Sequence, residues 1–296
     1  MRILISGATG LIGTALTARL TADGHHPIRL VRASPAGSDL LWDPAAGSLP
    51  GDALDGVDAV VNLAGAGIGD HRWTRAYRAE ILASRIGATS TLATAIAETK
   101  RPITFLSGSA VGAYGDRGDE VLTERSAPGT GFLADVCRQW EAAATPAGRH
   151  GARVVLLRTG IVLARQGGAL GKQLPLFKVG LGGKIGSGRQ WWSWITIDDH
   201  VAAVARLLGA DVDGPVNLTA PNPVTNAEFT TVLARVLKRP SFLPIPAFGP
   251  KLVLGRQLAE ALLLDGQRVM PEVLANDGFH WDQPELAPAL RAILGR

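Results

Sequence analysis

Three glycines at intervals of three, Gly7, Gly10 and Gly13, follow the apolar run Ile3 to Ile5 and lead into a helical pattern from Leu11 to Leu20. Strand, tight turn and helix start, in that order, make a resting place for a dinucleotide pyrophosphate. A side chain there would block the bend, hold the backbone off the phosphates or push the helix from the strand. The helix start offers free N–H groups and a partial positive charge to the anion. The next strand ends Ile28-Arg-Leu-Val31-Arg32-Ala-Ser34. A carboxylate at its end would accept ribose hydroxyls. Arg32 suits a 2′-phosphate instead, so NADP(H) is the expected cofactor.

These residues need a scaffold, and strand and helix patterns alternate to supply one. Strands are expected at Pro27 to Val31, Ala59 to Leu63, Ile103 to Ser107 and Val154 to Leu157, and helices over Arg72 to Glu98 and Phe132 to Ala144. That alternation implies a Rossmann-type α/β fold, a doubly wound parallel sheet. Residues 1–164, completed by about 196–220, form the expected dinucleotide domain. Residues 165–195, rich in glycine and tryptophan, read as a loop-rich lid. With 221–296 they make a smaller, discontinuous substrate domain. Thr225 to Glu228 reads as a capping box before a helix reaching Leu237, and 251–264 as a last helical stretch.

Composition narrows the class. With 46% hydrophobic and 19% charged residues the chain reads as compact and globular. No apolar run approaches a membrane span. The single cysteine, Cys137, excludes an internal disulfide and a cysteine metal cluster and suits a reducing cytoplasm. A net charge of +4 on scattered basic residues gives no nucleic-acid footprint. No His/Asp/Glu spacing suggests a metal site.

A family then comes into view. The glycine loop, Asn62-Leu-Ala-Gly65 and Ser107-Gly-Ser109…Tyr114-Gly-Asp116 together resemble the extended short-chain dehydrogenase/reductases of the epimerase/dehydratase group. Several further motifs look like one atypical branch, the epimerase family proteins labelled nucleoside-diphosphate-sugar epimerases or SulA-like. They are Ser84-Arg85, Gln139-Trp-Glu141-Ala-Ala143, Arg158-Thr-Gly-Ile-Val-Leu163, Leu181 to Gly188 and the tail Asp265-Gly-Gln-Arg-Val-Met-Pro271.

The resemblance implies a Ser, Tyr and Lys that polarise a substrate oxygen and hold the nicotinamide ribose. Counting back from Glu141 puts Leu133 at the tyrosine position and Cys137 at the lysine position, and no Tyr or Lys occurs between Arg117 and Gly171. Ser109 is what survives. Tyr114 is an alternative acid or a support for its loop. Trp192 stands where relatives carry a pyrophosphate-binding arginine, and Arg189 could compensate. Trp191, Trp192 and Trp194 read either as core or as a flat aromatic substrate wall.

The expected cofactor contacts are Gly7, Thr9, Gly10, Leu11, Ile12 and Gly13 at the pyrophosphate and Val31 and Arg32 at the 2′-phosphate end. Leu63, Ala64 and Gly65 are expected near the adenosine, and Ser107, Ile161 and Val162 toward the nicotinamide. The branch resemblance adds Glu80 and Arg85, which otherwise read as a helix-surface pair. The expected activity is hydride transfer between NADPH and a small apolar or aromatic carbonyl or alkene without the usual dyad. The alternatives are a non-enzymatic NADP(H) sensor and a sugar-nucleotide epimerase. Family members also pair as homodimers through the helices within 72–98 and 132–144.

Overall fold

The computed structural model describes every residue except Phe242. Its centre is a parallel sheet of seven strands in the order β11-β7-β5-β4-β1-β2-β3. The strands are β1 (Arg2–Ser6), β2 (His26–Val31), β3 (Leu40–Leu41), β4 (Ala59–Asn62), β5 (Thr104–Ala110), β7 (Arg153–Thr159) and β11 (Gly214–Leu218). Strands buried on both faces read as apolar runs, as Ile3 to Ile5 and Val60 to Val61 do. Connecting helices cover the sheet: α1 (Leu11–Ala22), α2 (Arg75–Thr99), α3 (Phe132–Ala144) and α5 (Ile197–Gly209). Leu16, Leu20, Val204 and Leu207 pack α1 and α5 on one face. Ala88, Leu92 and Ile96 of α2 and Ala144 of α3 fill the other.

A second core forms around Leu163, Trp194, Phe229 and Leu290. It joins β8 (Ile161–Ala164), α4 (Gly168–Lys178), β9 (Trp191–Trp192), β10 (Trp194–Thr196), β12 (Val224–Thr225), α6 (Asn226–Leu237) and α10 (Leu286–Leu294). The capping box is present: Glu228 N–H donates to the Thr225 hydroxyl at 3.2 Å, and Thr225 N–H donates to Glu228 Oε2 at 2.7 Å. The expected stretch 251–264 is broken into α7 (Phe248–Leu254), α8 (Arg256–Ala259) and a wider turn, Glu260–Leu264. A short pair, β6 (Val121–Leu122) with β13 (Arg268–Val269), and helix α9 (Glu272–Asn276) complete the chain. The tail is shared between the two cores. Leu274 and Phe279 pack with the sheet, Leu286 and Leu290 with the second core.

The 165–195 segment is thus not all loop. Its helix α4 contains Gly171 and Pro175, both poor in helices, and it forms because Leu170, Leu174 and Phe177 share one buried face.

His200 on α5 is fully buried, with Nε2 3.1 Å from Thr159 Oγ1. Burial pushes its pKa down to about 4. The unfolded histidine titrates near 6.5, so below that pH the unfolded chain binds a proton that the folded chain refuses. This share of stability is complete above about pH 6.5 and falls by about 1.4 kcal/mol per unit as pH drops toward 4. Denaturant unfolding at pH 5 and 7 is expected to show the parent losing about 2 kcal/mol more than His200→Leu. Equal losses would place the titration elsewhere.

Candidate functional site

The sheet order reverses between β1 and β4, and that reversal opens a crevice at the carboxyl ends of the two strands. Gly7 sits there with φ +69°, and a Cβ on it would lie 2.7 Å from the Leu63 carbonyl. A Cβ on Gly13 would lie 2.2 Å from the Gly7 oxygen, so α1 approaches β1 as closely as backbone permits. Gly10 N–H donates to Gly7 O at 3.1 Å and closes the turn. Thr9 and Gly10 are exposed, Leu11 and Ile12 half-buried. The first turn of α1 carries no acidic residue, which leaves its free N–H groups open to an anion. The cradle therefore fits a pyrophosphate.

At the end of β2, Val31 is buried and Arg32 is exposed. Sequence reading found no carboxylate beside Arg32, but the fold brings Asp39 back toward this strand. Arg29 holds it through two hydrogen bonds of 2.7 Å and pulls its carboxyl below the usual range. Asp39 is committed, and among the described residues Arg32 has no hydrogen-bond or ion-pair partner.

At the end of β4 a buried chain of hydrogen bonds fixes the Asn62-to-Gly65 bend. Ser6 Oγ donates to Asn62 Oδ1 at 2.6 Å, Asn62 Nδ2 donates to Thr89 Oγ1 at 2.8 Å, and Trp140 Nε1 reaches the same hydroxyl at 2.9 Å. Leu63 and Ala64 are half-buried and Gly65 is exposed at the rim. Arg85 lies against Gly65, whereas Glu80 points to solvent. Ile161 and Val162 are half-buried on β8, paired with Trp194 and Ile195 of β10. Ser107 is wholly buried on β5, and among the described residues its hydroxyl has no hydrogen-bond partner.

The fold draws Ser109 and Tyr114 into an internal network. Ser109 is 4% exposed, and its hydroxyl donates to Glu141 Oε1 at 2.6 Å. Glu141 also receives Arg158 through bonds of 2.8 and 2.9 Å. Tyr114, with no exposure, accepts from Arg158 at 3.0 Å and donates to Asn217 Oδ1 at 2.7 Å. Burial raises its pKa against the pull of Arg158, so the hydroxyl keeps its proton. Burial also opposes the Arg158 charge, yet Glu141 and Tyr114 more than offset it and the guanidinium stays protonated. Both hydroxyls are thus consumed by an internal network that includes a buried ion pair. At the two positions where the resemblance expects the dyad, Leu133 lies beside Gly112 and Cys137 Sγ is 3.7 Å from Ala110 O. Cys137 is buried, and burial pushes its pKa up to about 11, which favours the protonated thiol.

Of the two readings of the tryptophans, core packing holds for two of the three. Trp194 is fully buried with its N–H on Asn222 O at 3.0 Å, and Trp192 packs on Phe229 with ring centres 4.8 Å apart. Both are core. Trp191 remains half-exposed, held by Asp119 at 2.7 Å and by Arg268, whose Cζ lies 4.4 Å from the ring centre. Sequence reading missed Asp119 and Arg268, because three distant segments meet there. Arg189 is exposed near this edge. Helix α4 starts near the glycine turn, where a Cβ on Gly168 would lie 3.4 Å from Leu11 Cδ2, and Lys172 Nζ donates to Gly69 O at 3.0 Å. Lys172 therefore ties α4 to the segment that follows β4. Among the described residues no helix is long and apolar enough to cross a membrane, and no His/Cys/Asp/Glu group could hold a metal.

Comparison with known proteins matches this architecture. A model of the NAD dependent epimerase/dehydratase family matches residues 3–219, and a domain of unknown function, DUF1731, matches 245–293. The chain is 46% identical over 290 residues to the epimerase family protein Mb2239 of Mycobacterium bovis, covering 97% of this chain and 96% of that one. It is 39% identical over 299 residues to human epimerase family protein SDR39U1, covering 99% and 100%. The crystal structure of human SDR39U1 isoform 2 with NADPH superposes over the whole of both chains at TM-score 0.92 and 38% identity. A Corynebacterium glutamicum structure described as a nucleoside-diphosphate sugar epimerase superposes at TM-score 0.82 and 39% identity, covering 100% of this chain and 58% of that one. UDP-N-acetylglucosamine 4-epimerase from Bacillus cereus, at 18% identity and TM-score 0.78, shares the fold. The motif resemblance holds along the chain, which belongs to the NAD dependent epimerase/dehydratase family.

Proposed function

We propose that this chain binds NADP(H) in the β1/β4 crevice and transfers hydride to or from a small carbonyl or alkene substrate. The observation that carries the reading is the pairing of a side-chain-free glycine cradle with a free Arg32 whose neighbouring carboxylate is already committed. The crystal structure of the similar human SDR39U1 with NADPH supports it. Gly7 to Gly13 would hold the pyrophosphate, Arg32 the 2′-phosphate, Leu63 to Gly65 the adenosine, and Ile161 and Val162 the nicotinamide side. When bound, the nicotinamide supplies or accepts the hydride. With Ser109 and Tyr114 turned inward, the proton is drawn from water or from the substrate. Trp191 would give the substrate side an apolar surface, with Arg189 at its edge.

Fluorescence titration tests the nucleotide half. The parent is expected to prefer NADPH over NADH, and Arg32→Ala to weaken NADPH at least about ten-fold while leaving NADH unchanged. An unchanged preference would remove Arg32 from the site. Stopped-flow oxidation of bound NADPH across a panel of carbonyls and enones tests the chemical half. The inward turn of both hydroxyls favours a second reading, an NADP(H)-responsive binding protein without chemistry. A cofactor that stays reduced throughout the panel would select it.

A further inference from the structure

The large apolar side chains left in the open are unevenly spread. Among the described residues ten are exposed, and seven of them fall between Leu176 and Val253. Leu176, Val179 and Leu181 lie at the end of α4 and just beyond it. Leu243 precedes α7, and Phe248, Leu252 and Val253 lie on that helix. The fold sets these two stretches side by side. A Cβ on Gly180 would lie 3.5 Å from Pro240 Cγ, Ile185 pairs with Ile245, and a Cβ on Gly186 would lie 3.6 Å from Ala247 Cβ.

Helix α7 buries none of its side chains. Arg72 holds its end, donating through Nε to Val253 O at 3.0 Å and through Nη2 to Leu252 O. A helix this short, with no buried face, gains nothing from its apolar residues in water. Grouped apolar side chains of this kind suit a surface outside the chain. The charge on the same stretches has one sign. No Asp or Glu occurs over 165–197 or 229–259, and each stretch carries five Lys or Arg residues. Lys178, Lys184, Lys238 and Arg239 are exposed beside the apolar residues, and among the described residues no carboxylate pairs with any of them.

We propose that this face docks on a membrane surface of anionic lipid. Phe248, Leu252 and Val253 enter the boundary between headgroups and acyl chains, and the four cations meet the lipid phosphates. Lysine stems lie along an apolar layer while their ammonium groups stay among the headgroups. A second copy of the chain would bring two cationic faces together. Protein interfaces favour Tyr, Trp and Arg and are poor in Lys. Here three of the four cations are lysines, and neither Tyr nor Trp occurs over 176–184 or 238–254. A nucleic acid would answer the charge but leave the aliphatic side chains in water. Among the described residues no helix is long and apolar enough to cross a membrane, so the chain lies on the surface.

Co-sedimentation of the full chain with vesicles provides the test. Vesicles of phosphatidylcholine with about one-third phosphatidylglycerol are expected to bind it at least about ten-fold more tightly than phosphatidylcholine alone. Phe248→Ser/Leu252→Ser and Lys178→Glu/Lys238→Glu should each weaken that binding at least about ten-fold. Melting should shift by less than about 2 °C in both, because the altered side chains are exposed. Leu41→Ser, exposed on the edge strand β3, should bind like the parent. Absence of binding to the anionic vesicles overturns the inference. Binding that survives Phe248→Ser/Leu252→Ser, with duplex DNA captured equally well, overturns it in favour of a polyanion. A dimer in sedimentation equilibrium that the same double variant dissociates overturns it in favour of a second copy.

Discussion

A Gly13→Ala variant will melt roughly 6–12 °C below the parent and lose NADPH binding. The added methyl would sit 2.2 Å from the Gly7 oxygen and 2.7 Å from Ala8 Cα, and both obstacles are backbone. No rotamer change relieves that clash, so α1 must move off β1. Overpacking of this kind costs about 3 kcal/mol, and in a chain of this size each kcal/mol lowers melting by about 2–4 °C. Moving α1 also withdraws the N–H groups that would meet the pyrophosphate. Gly10→Ala is the control. Its Cβ would lie 3.3 Å from the Gly7 oxygen at an ordinary φ of −75°, so its melting should shift by less than about 3 °C. Calorimetry of the two variants decides the matter, and equal melting would show that the turn is not close-packed.

Glu141→Ala is expected to destabilise by about 3–5 kcal/mol, since it leaves the Arg158 guanidinium buried beside an unmatched Ser109 hydroxyl. The pair is nearly enclosed, with side-chain exposures of 8% for Arg158 and 13% for Glu141. A Glu141→Leu/Arg158→Met double variant should be less damaging than the single change, because it removes both charges. NADPH affinity, measured on the fraction that remains folded, should stay within a few-fold of the parent, as the pair lies apart from the glycine cradle. Unchanged denaturant stability in Glu141→Ala would mean that the network does not hold the sheet to α3.

Local signals carried the scaffold far. The glycine spacing, the apolar strands and helix α3 from Phe132 to Ala144 were legible because each depends on neighbours in sequence. The fate of the hydroxyls was not. Ser109 meets Glu141 32 residues on, and Tyr114 meets Asn217 103 residues on, so no spacing rule reports either contact. Trp192 and Trp194 were open to two readings because apolar side chains suit both a core and a pocket. Helix α4 was hidden by Gly171 and Pro175, although Leu170, Leu174 and Phe177 kept helical spacing. The vacancy at 133 and 137 was legible, because residue types alone reveal it.

Helix α4 is anchored by Leu170, Leu174 and Phe177 in the second core, and on its exposed side Lys172 reaches Gly69 O at 3.0 Å. Burying three such side chains is worth about 5 kcal/mol, whereas an exposed lysine contact contributes about 1 kcal/mol or less. The helix is therefore a fixed post and not a door. What its lysine can hold or let go is the loop around Gly69, so any loosening at this edge begins in the loop and leaves the post standing.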